Sequence, residues 1–412
     1  MRENGLWRQR DFLQLWAAQA VSEIGSRISR TAMPLAAVLV LGASPFQMGI
    51  LNGAGAAGVL FFGLFAGAWA DRLRRRPILI AADLGRAVLL GSIPLAAAFG
   101  RLSLGHLVAV SAAAGVLTVA FEVAHQAYLP SLVEREKLLD GNSKLALSGA
   151  LAEVAGPGLA GVLVERIGAP MAILFDAVSF LCSAVFLGRI RKPEPPPVRG
   201  APPHLGREIA EGLRSAWRDP LLRALAGRTL AAAFFLGIPG SLYFLFAVRE
   251  LRLSPALLGG VIAVGGAGSL AGAVVAERLG RRFGTGRTLI GSALAIGAAS
   301  LIVPLAHGSV AACWAFLAAA QLGDVAWPVY TVHETSLRQA VAPDHMLGRV
   351  NSAMHLLFWG ALPAGALAGG ALAEAVGMRE ALFIGALGVL LSSMWLVFSP
   401  VRRLRALPLP AV

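Results

Sequence analysis

The segment Ala70-Asp71-Arg72-Leu73-Arg74-Arg75-Arg76 returns as Ala276-Glu277-Arg278-Leu279-Gly280-Arg281-Arg282. From Asp71 to Glu277 the offset is 206 residues, half of a chain of 412. Each copy follows a long Gly/Ala-rich apolar run and precedes another. Such a chain has to fold as one unit built twice, with a basic turn at the same place in each copy. The repeat extends further. Ser44-Pro45 with Gly49 matches Ser254-Pro255 with Gly259, and His125 matches His333. Asn142-Ser143 matches Asn351-Ser352, and Pro157 matches Pro363. All offsets fall between 206 and 210, which leaves only small insertions between the halves.

What the repeat is dissolved in follows from composition. Hydrophobic residues make up 57% of the chain and charged residues 14%, with a mean hydropathy of +0.70. A soluble domain averages about 45–50% apolar and about 25% charged. The excess is spread evenly along the chain, and many runs reach the roughly 20 residues that cross a bilayer. The pattern predicts an all-α membrane protein with twelve spans near 12–41, 46–70, 77–99, 104–128, 143–165, 169–188, 222–248, 255–276, 287–306, 310–333, 351–373 and 379–399.

A net charge of +13 and a pI near 11.2 would suggest nucleic acid in a soluble chain. The placement of the charges excludes that reading. Basic residues gather in every second loop: Arg72 to Arg76, Arg189 to Lys192, Arg278 to Arg287 and Arg402 to Arg405. The alternate loops are nearly free of them, Arg101, Arg166, Arg249, Arg252 and Arg379 being the main exceptions. This asymmetry predicts that the basic loops and both termini are cytoplasmic. Met1 to Phe12 is polar, with no cleavable signal expected, and the Arg-dominated basic set points to a GC-rich bacterial genome; the location expected is the bacterial inner membrane. Cys182 and Cys313 fall inside apolar runs and read as small buried hydrophobes rather than a disulfide or metal pair.

The one long polar stretch, 189–220, divides the chain into a six-helix bundle over 1–188, a cytoplasmic linker and a second bundle over 221–412. Pro193 to Pro203 is Pro-rich and predicts an extended spacer. Leu205, Ile209, Leu213 and Ala216/Trp217 then share one helical face, which predicts an amphipathic helix lying on the cytoplasmic membrane surface.

Several spans carry groups that lipid does not tolerate. A charge at the bilayer centre costs about 2.5–3.5 kcal/mol, so Glu23, Arg27 and Arg30 together would cost roughly 8–10 kcal/mol if they faced lipid. They must face protein or water. Gln19, Glu23, Arg27 and Arg30 follow i, i+4, i+8, i+11, a single helical stripe, and Glu23 and Arg27 are spaced to pair. Glu23 lies about 17 Å into its span. The fourth span has a comparable stripe of Ser111, Gly115, Thr118, Glu122 and His125. The tenth has Gln321, Asp324 and Thr331 on one face, with Trp327 and Pro328 alongside, and the seventh adds Arg228. Glu153 in the fifth span is one more intramembrane carboxyl. His125 and His333 sit at matching span ends and read as hydrogen-bonded helix-end residues. The sequence holds no phosphate loop, metal-ligand cluster or nucleotide-binding motif, so no cofactor, no metal and no enzymatic activity is expected.

Gly67-Ala68-Trp69-Ala70-Asp71-Arg72-Leu73-Arg74-Arg75-Arg76 resembles the loop motif between spans two and three of the major facilitator superfamily. Further stretches resemble its drug:proton antiporter branch, which includes macrolide and siderophore exporters. They are Arg10-Asp11-Phe12 with Leu15-Trp16 and Gln19, Asp83-Leu84-Gly85-Arg86-Ala87, and Leu129-Pro130-Ser131-Leu132-Val133. Asn142-Ser143, Phe175-Asp176-Ala177 with Ser179-Phe180, and Gly348-Arg349-Val350-Asn351-Ser352 complete the set. The resemblance covers essentially the whole chain. Gly156-Pro157-Gly158-Leu159-Ala160-Gly161 is similar to the antiporter motif of exporters, in which Gly156, Pro157 and Gly161 would let the fifth span bend and pack closely. Two departures stand out: Arg74 replaces the family's usual Gly, and the fourth span lacks the Arg that several drug exporters carry.

The resemblance implies two pseudo-symmetric six-helix bundles rocking about a cavity lined by spans one, four, seven and ten. Gln19, Glu23, Arg27, Arg30, Thr118, Glu122, Gln321 and Asp324 would line it. A cytoplasmic gate would form from Asp71, Arg72, Arg75, Asp83, Arg86, Glu277, Arg278 and Arg281. The implied activity is proton-coupled efflux of an amphipathic small molecule by a monomer that meets protons and membrane lipid but no nucleic acid. Glu122 or Asp324 would carry the proton, with Glu153 a third candidate and Glu23 held as the partner of Arg27. A lysophospholipid or siderophore transporter, an uptake symporter and a non-transporting sensor on the same scaffold are the alternatives.

Overall fold

The computed structural model describes residues 6–70, 74–194 and 205–408, with the backbone alone described for 61–70, 205, 207, 208 and 344. Asp71 and Arg72 lie outside the described residues, as does most of the Pro-rich spacer. Among the described residues every regular element is helical. The first half contains α1 (Arg10–Leu39), α2 (Pro45–Ala70), α3 (Arg75–Ala98), α4 (Leu104–Leu132), α5 (Leu138–Ile167) and α6 (Ala169–Gly188). After α7 (Leu205–Arg218) come α8 (Pro220–Arg249), α9 (Pro255–Phe283), α10 (Thr285–Leu305), α11 (Val310–Leu322) and α12 (Ala326–Val341). The chain continues through α13 (Leu347–Val376), α14 (Met378–Ser392) and α15 (Met394–Val397).

The twelve expected spans correspond to α1–α6, α8–α10, α11 with α12, α13, and α14 with α15. Ten of these segments combine the length and the apolar window a bilayer needs. At 30 residues α1 is long enough, and its charge stripe is what dilutes it. Several helices outrun the apolar windows that announced them. The last turns of α9 hold Glu277, Arg278, Leu279 and Arg281, good helix formers that carry the ladder to Phe283. Helix ends are sharp where glycine takes a positive φ that other residues rarely adopt. Gly168 (φ 84°) closes α5 and Gly377 (φ 105°) closes α13 at matching places in the repeat. The tenth span is not one helix: a 3-10 turn over Gly323–Val325 separates α11 from α12.

The chain forms two compact units. One comprises Met1–Ala43, Ala57–Pro203 and Ser254–Gly260, and the other Ser44–Ala56, His204–Leu253 and Val261–Val412. Each unit thus contains the first turns of a helix whose remainder belongs to the opposite half. Glycine contacts account for this. In the first unit a Cβ added at Gly161 would lie 2.3 Å from the Pro255 carbonyl oxygen, and one at Gly259 2.4 Å from that of Pro157. In the second a Cβ at Gly49 would lie 2.5 Å from the Ala366 oxygen. Only small residues permit such backbone approach.

The same two helix starts are capped symmetrically. Ser44 and Gln47 form a reciprocal capping box, with Ser44 N–H donating to Gln47 Oε1 (2.9 Å) and Gln47 N–H to Ser44 Oγ (3.4 Å). Ser44 Oγ and Phe46 N–H both donate to Glu374 Oε1, at 2.6 and 3.2 Å. At the repeat position Ala256 N–H donates to Glu165 Oε2 (2.9 Å). A carboxylate from α13 or α5 therefore meets the positive end of α2 or α9.

The first unit packs around Phe12, Leu15, Leu79, Phe121, Tyr128 and Leu187. The second packs around Leu222, Leu225, Leu289, Tyr330, Leu337 and Leu396. Ala216 of α7 belongs to that second core. Its neighbour Gly212 sits close enough to α13 that an added Cβ would lie 2.1 Å from the Arg349 oxygen, and Glu211 pairs with Arg349 at 2.7 Å. The amphipathic helix thus packs Gly212 and Ala216 against protein, because its smallest residues lie on the face that meets α13, while Trp217 stays exposed.

Candidate functional site

In the first unit the α1 stripe is assembled as its spacing requires. Gln19 Nε2 donates to Glu23 Oε2 at 3.5 Å, and Arg27 donates to Glu23 Oε1 from Nε (3.1 Å) and Nη2 (2.7 Å). The other arm of the Arg27 guanidinium, Nη1, pairs with Glu153 on α5. One arginine therefore holds two carboxylates on two helices. Glycine makes this possible: a Cβ at Gly156 would lie 2.3 Å from Arg27 Cβ. Gly156 lets α5 close on α1 at the very turn that carries Arg27, while Pro157 sits inside a continuous α5.

Arg30, one turn further along α1, and Glu122 on α4 both present accessible surface. Arg30 lies in the field of Arg27, Glu23, Glu153 and Glu122, and Glu122 in that of Arg30, Glu23, Arg86 and Arg27. Three carboxylates and two guanidiniums thus form one cluster spread over α1, α4 and α5, with Thr118 half-buried one turn from Glu122. Charge-assisted bonds fix Arg27 in place. Glu122 has no direct ion pair among the described residues.

Within the first unit, the described residues expected at a cytoplasmic gate make separate contacts. Asp83 and Arg86 are sealed inside the first unit, 0% and 4% exposed, with Arg86 Nη2 donating to Asp83 Oδ1 at 2.5 Å. The Arg86 guanidinium lies over Phe121 of α4 (4.5 Å to the ring centre) and over Phe180 of α6 (4.0 Å). Asp83 lies two turns past Arg75, roughly 12 Å deeper along α3, and through Arg86 the pair ties α3 to α4 and α6. Arg75 and Arg76 are held from elsewhere: their N–H groups donate to the Glu194 carboxylate at 2.6 and 3.2 Å. In the second copy Glu277 and Arg281 form a loose pair at 3.6 Å, 79% and 72% exposed, and Arg278 is exposed beside them. His333 is buried and bonded to the Val329 oxygen at 2.7 Å, as a helix-end histidine should be. His125 instead stacks on Phe121, and its Nε2 finds no partner among the described residues.

In the second unit Gln321 and Asp324 come together against α9, where a Cβ at Gly265 would lie 2.5 Å from Asp324 Oδ2 and 3.0 Å from Gln321 Nε2. The 3-10 turn carries Asp324 and aims it at α9; Thr331, a turn and more further on, opens into a separate cavity of about 440 Å³. That cavity has walls from α8, α12 and α13, and it holds Arg228, Tyr330, Glu334 and Arg338. Glu334 and Arg338 escape sequence reasoning because hydropathy ends the tenth span at His333. Their i, i+4 spacing on a helix that runs to Val341 is the signal that could have found them.

An internally repeated helical chain, with ten described segments long and apolar enough to cross a membrane and salt-bridged charges inside its spans, has the build of a membrane carrier. The Major Facilitator Superfamily model matches residues 15–361, and the chain belongs to that family. It is a transporter and not an enzyme. It is 28% identical over 399 residues to the multidrug efflux pump Tap of Mycolicibacterium fortuitum, covering 93% of this chain and 94% of the relative. It is also 28% identical over 398 residues to the uncharacterized MFS-type transporter YfiS of Bacillus subtilis, covering 93% and 91%. Among solved structures, a bacterial homologue of the iron transporter ferroportin, in an inward-facing state, superposes with a TM-score of 0.75 at 22% identity. That match covers 94% of this chain and 98% of the other, and it supports the fold.

Proposed function

We propose that this transporter exports an amphipathic small molecule in exchange for protons, by alternating access, from the bacterial cytoplasm with both termini on the cytoplasmic side. The observation that carries the proposal is the Glu23–Arg27–Glu153 clasp with Arg30 and Glu122 facing it. Intramembrane charges are costly and are kept where they work. Burial disfavours an ionised carboxyl and neighbouring cations favour it, so a carboxyl between these influences can take up and give up a proton as its surroundings open and close. Within the cluster Glu23 and Glu153 are spoken for by Arg27, and Glu122 is the group left to titrate. The multidrug efflux role named for Tap supports an export direction and an amphipathic cargo. The Arg/Lys distribution supports the orientation.

The test is transport by the purified protein in liposomes under an imposed pH gradient. The panel holds a lipophilic cation, a macrolide, a lysophospholipid and a catecholate siderophore. At least one is expected to accumulate only while the gradient lasts, and to leak back when a protonophore collapses it. Accumulation that ignores the gradient would make the protein a uniporter and sink the proton-coupled reading.

A further inference from the structure

The second unit contains a charged cavity that the proton cluster does not use. Arg228, near the start of α8, is 3% exposed, and its guanidinium stacks over the Tyr330 ring at 3.6 Å. Its Nε and Nη2 find no hydrogen-bond acceptor among the described residues. Glu334, which lines the same cavity, is bonded to Arg338 instead, through Nη1 at 3.1 Å. Arg338 Nε is likewise left without an acceptor. The set Arg228, Arg338 and Glu334 carries one uncompensated positive charge. Trp327, Phe358 and Trp359 line the same cavity and supply flat apolar walls. Its volume of about 440 Å³ falls in the range of roughly 300–1,000 Å³ that holds drug-sized ligands.

A buried guanidinium with unsatisfied donors costs free energy unless an anion completes it. Arginine's planar fork matches a carboxylate or phosphate group, and aromatic walls match a flat organic body. We infer that this cavity is a binding site for an organic anion, with Arg228 reading the anionic group and the aromatic walls holding the rest. The inference deepens the export reading by giving its cargo a charge, and it rests on that reading for its role in transport. Binding itself requires no gradient. Glu334 has a part as well: by pairing with Arg338 it limits the site to a single net positive charge, which suits a monoanion.

The experiment is equilibrium dialysis of radiolabelled 2-naphthoate against the full-length protein in detergent. The neutral 2-naphthylmethanol and the cationic 2-naphthylmethylammonium serve as competitors of the same shape. Naphthoate is expected to bind saturably and at least tenfold more tightly than either match. Arg228→Gln should weaken naphthoate by about 10–100-fold, the range of a charge-assisted hydrogen bond, while leaving the neutral alcohol within about twofold. Arg228→Lys keeps the charge without the fork and should fall between, which guards against a variant that simply misfolds. Equal affinity for all three probes, preference for the cation, unchanged binding by Arg228→Gln, or no saturable naphthoate binding would each overturn the site. Displacement of naphthoate by a lysophosphatidate would identify lipid as the source of the anion; failure to displace it would identify a soluble compound, and both keep the site. Transport without proton coupling would sink the antiport reading and leave this binding result standing.

Discussion

Asp83→Ala is expected to destabilise the protein by about 3–5 kcal/mol, the loss seen when one partner of a buried ion pair is removed. Asp83 is fully buried and Arg86 nearly so, with the guanidinium held between the Phe121 and Phe180 rings. Removing the carboxylate leaves a cation sealed between aromatic rings of two other helices. The next negative charges it feels, Asp176 and Glu122, are weaker influences than Asp83. Removing both partners has a different outcome. Asp83→Leu with Arg86→Met replaces the pair by apolar volume and should recover most of the loss, to within about 1–2 kcal/mol of the parent. Thermal unfolding in detergent reads both. A single variant that costs under about 1 kcal/mol would mean that water reaches the pair, contrary to its burial.

Gly156→Val should abolish transport, by about a hundredfold or more, because a displacement of about an ångström in an aligned site is enough to do so. The added Cβ would lie 2.3 Å from Arg27 Cβ, so α5 must move away from α1. Glu153 rides on α5 one turn earlier and would lose its hold on Arg27. The control lies two residues along: a Cβ at Gly158 meets nothing within 4 Å. Gly158→Ala should therefore transport normally and change stability by about 0.5 kcal/mol or less. Equal loss of transport in the two variants would point to the backbone freedom of the Gly-Pro-Gly segment rather than to contact with Arg27.

The fold was legible because two signals are periodic along the whole chain. Apolar runs of bilayer length and basic clusters in alternate loops mark the spans, and the recurrence of Asp71-Arg72 as Glu277-Arg278 halves them. Residues that interact within one helix were legible for the same reason, and the Glu23–Arg27 pair follows from spacing alone. Contacts between helices were not. Nothing in the sequence says that Glu153 reaches Arg27, or that Gly25 admits Asp176 and Ser179 of α6 to the back of α1. The i, i+3 spacing of Asp83 and Arg86 was legible, but their burial against the Phe121 and Phe180 rings was not. Hydropathy also hid Glu334 and Arg338, since charged residues in the last turns of a helix look like the loop beyond it.

Proton release from the purified protein, read with a pH dye in weakly buffered detergent while the transport panel is titrated in, tests the exchange of proton for cargo most directly. The parent protein should release protons on binding at least one compound, and Glu122→Gln should bind that compound without releasing them. Equal release from Glu122→Gln, or binding by the parent with no release at all, would contradict the assignment of the exchanged proton to the α1–α4–α5 cluster.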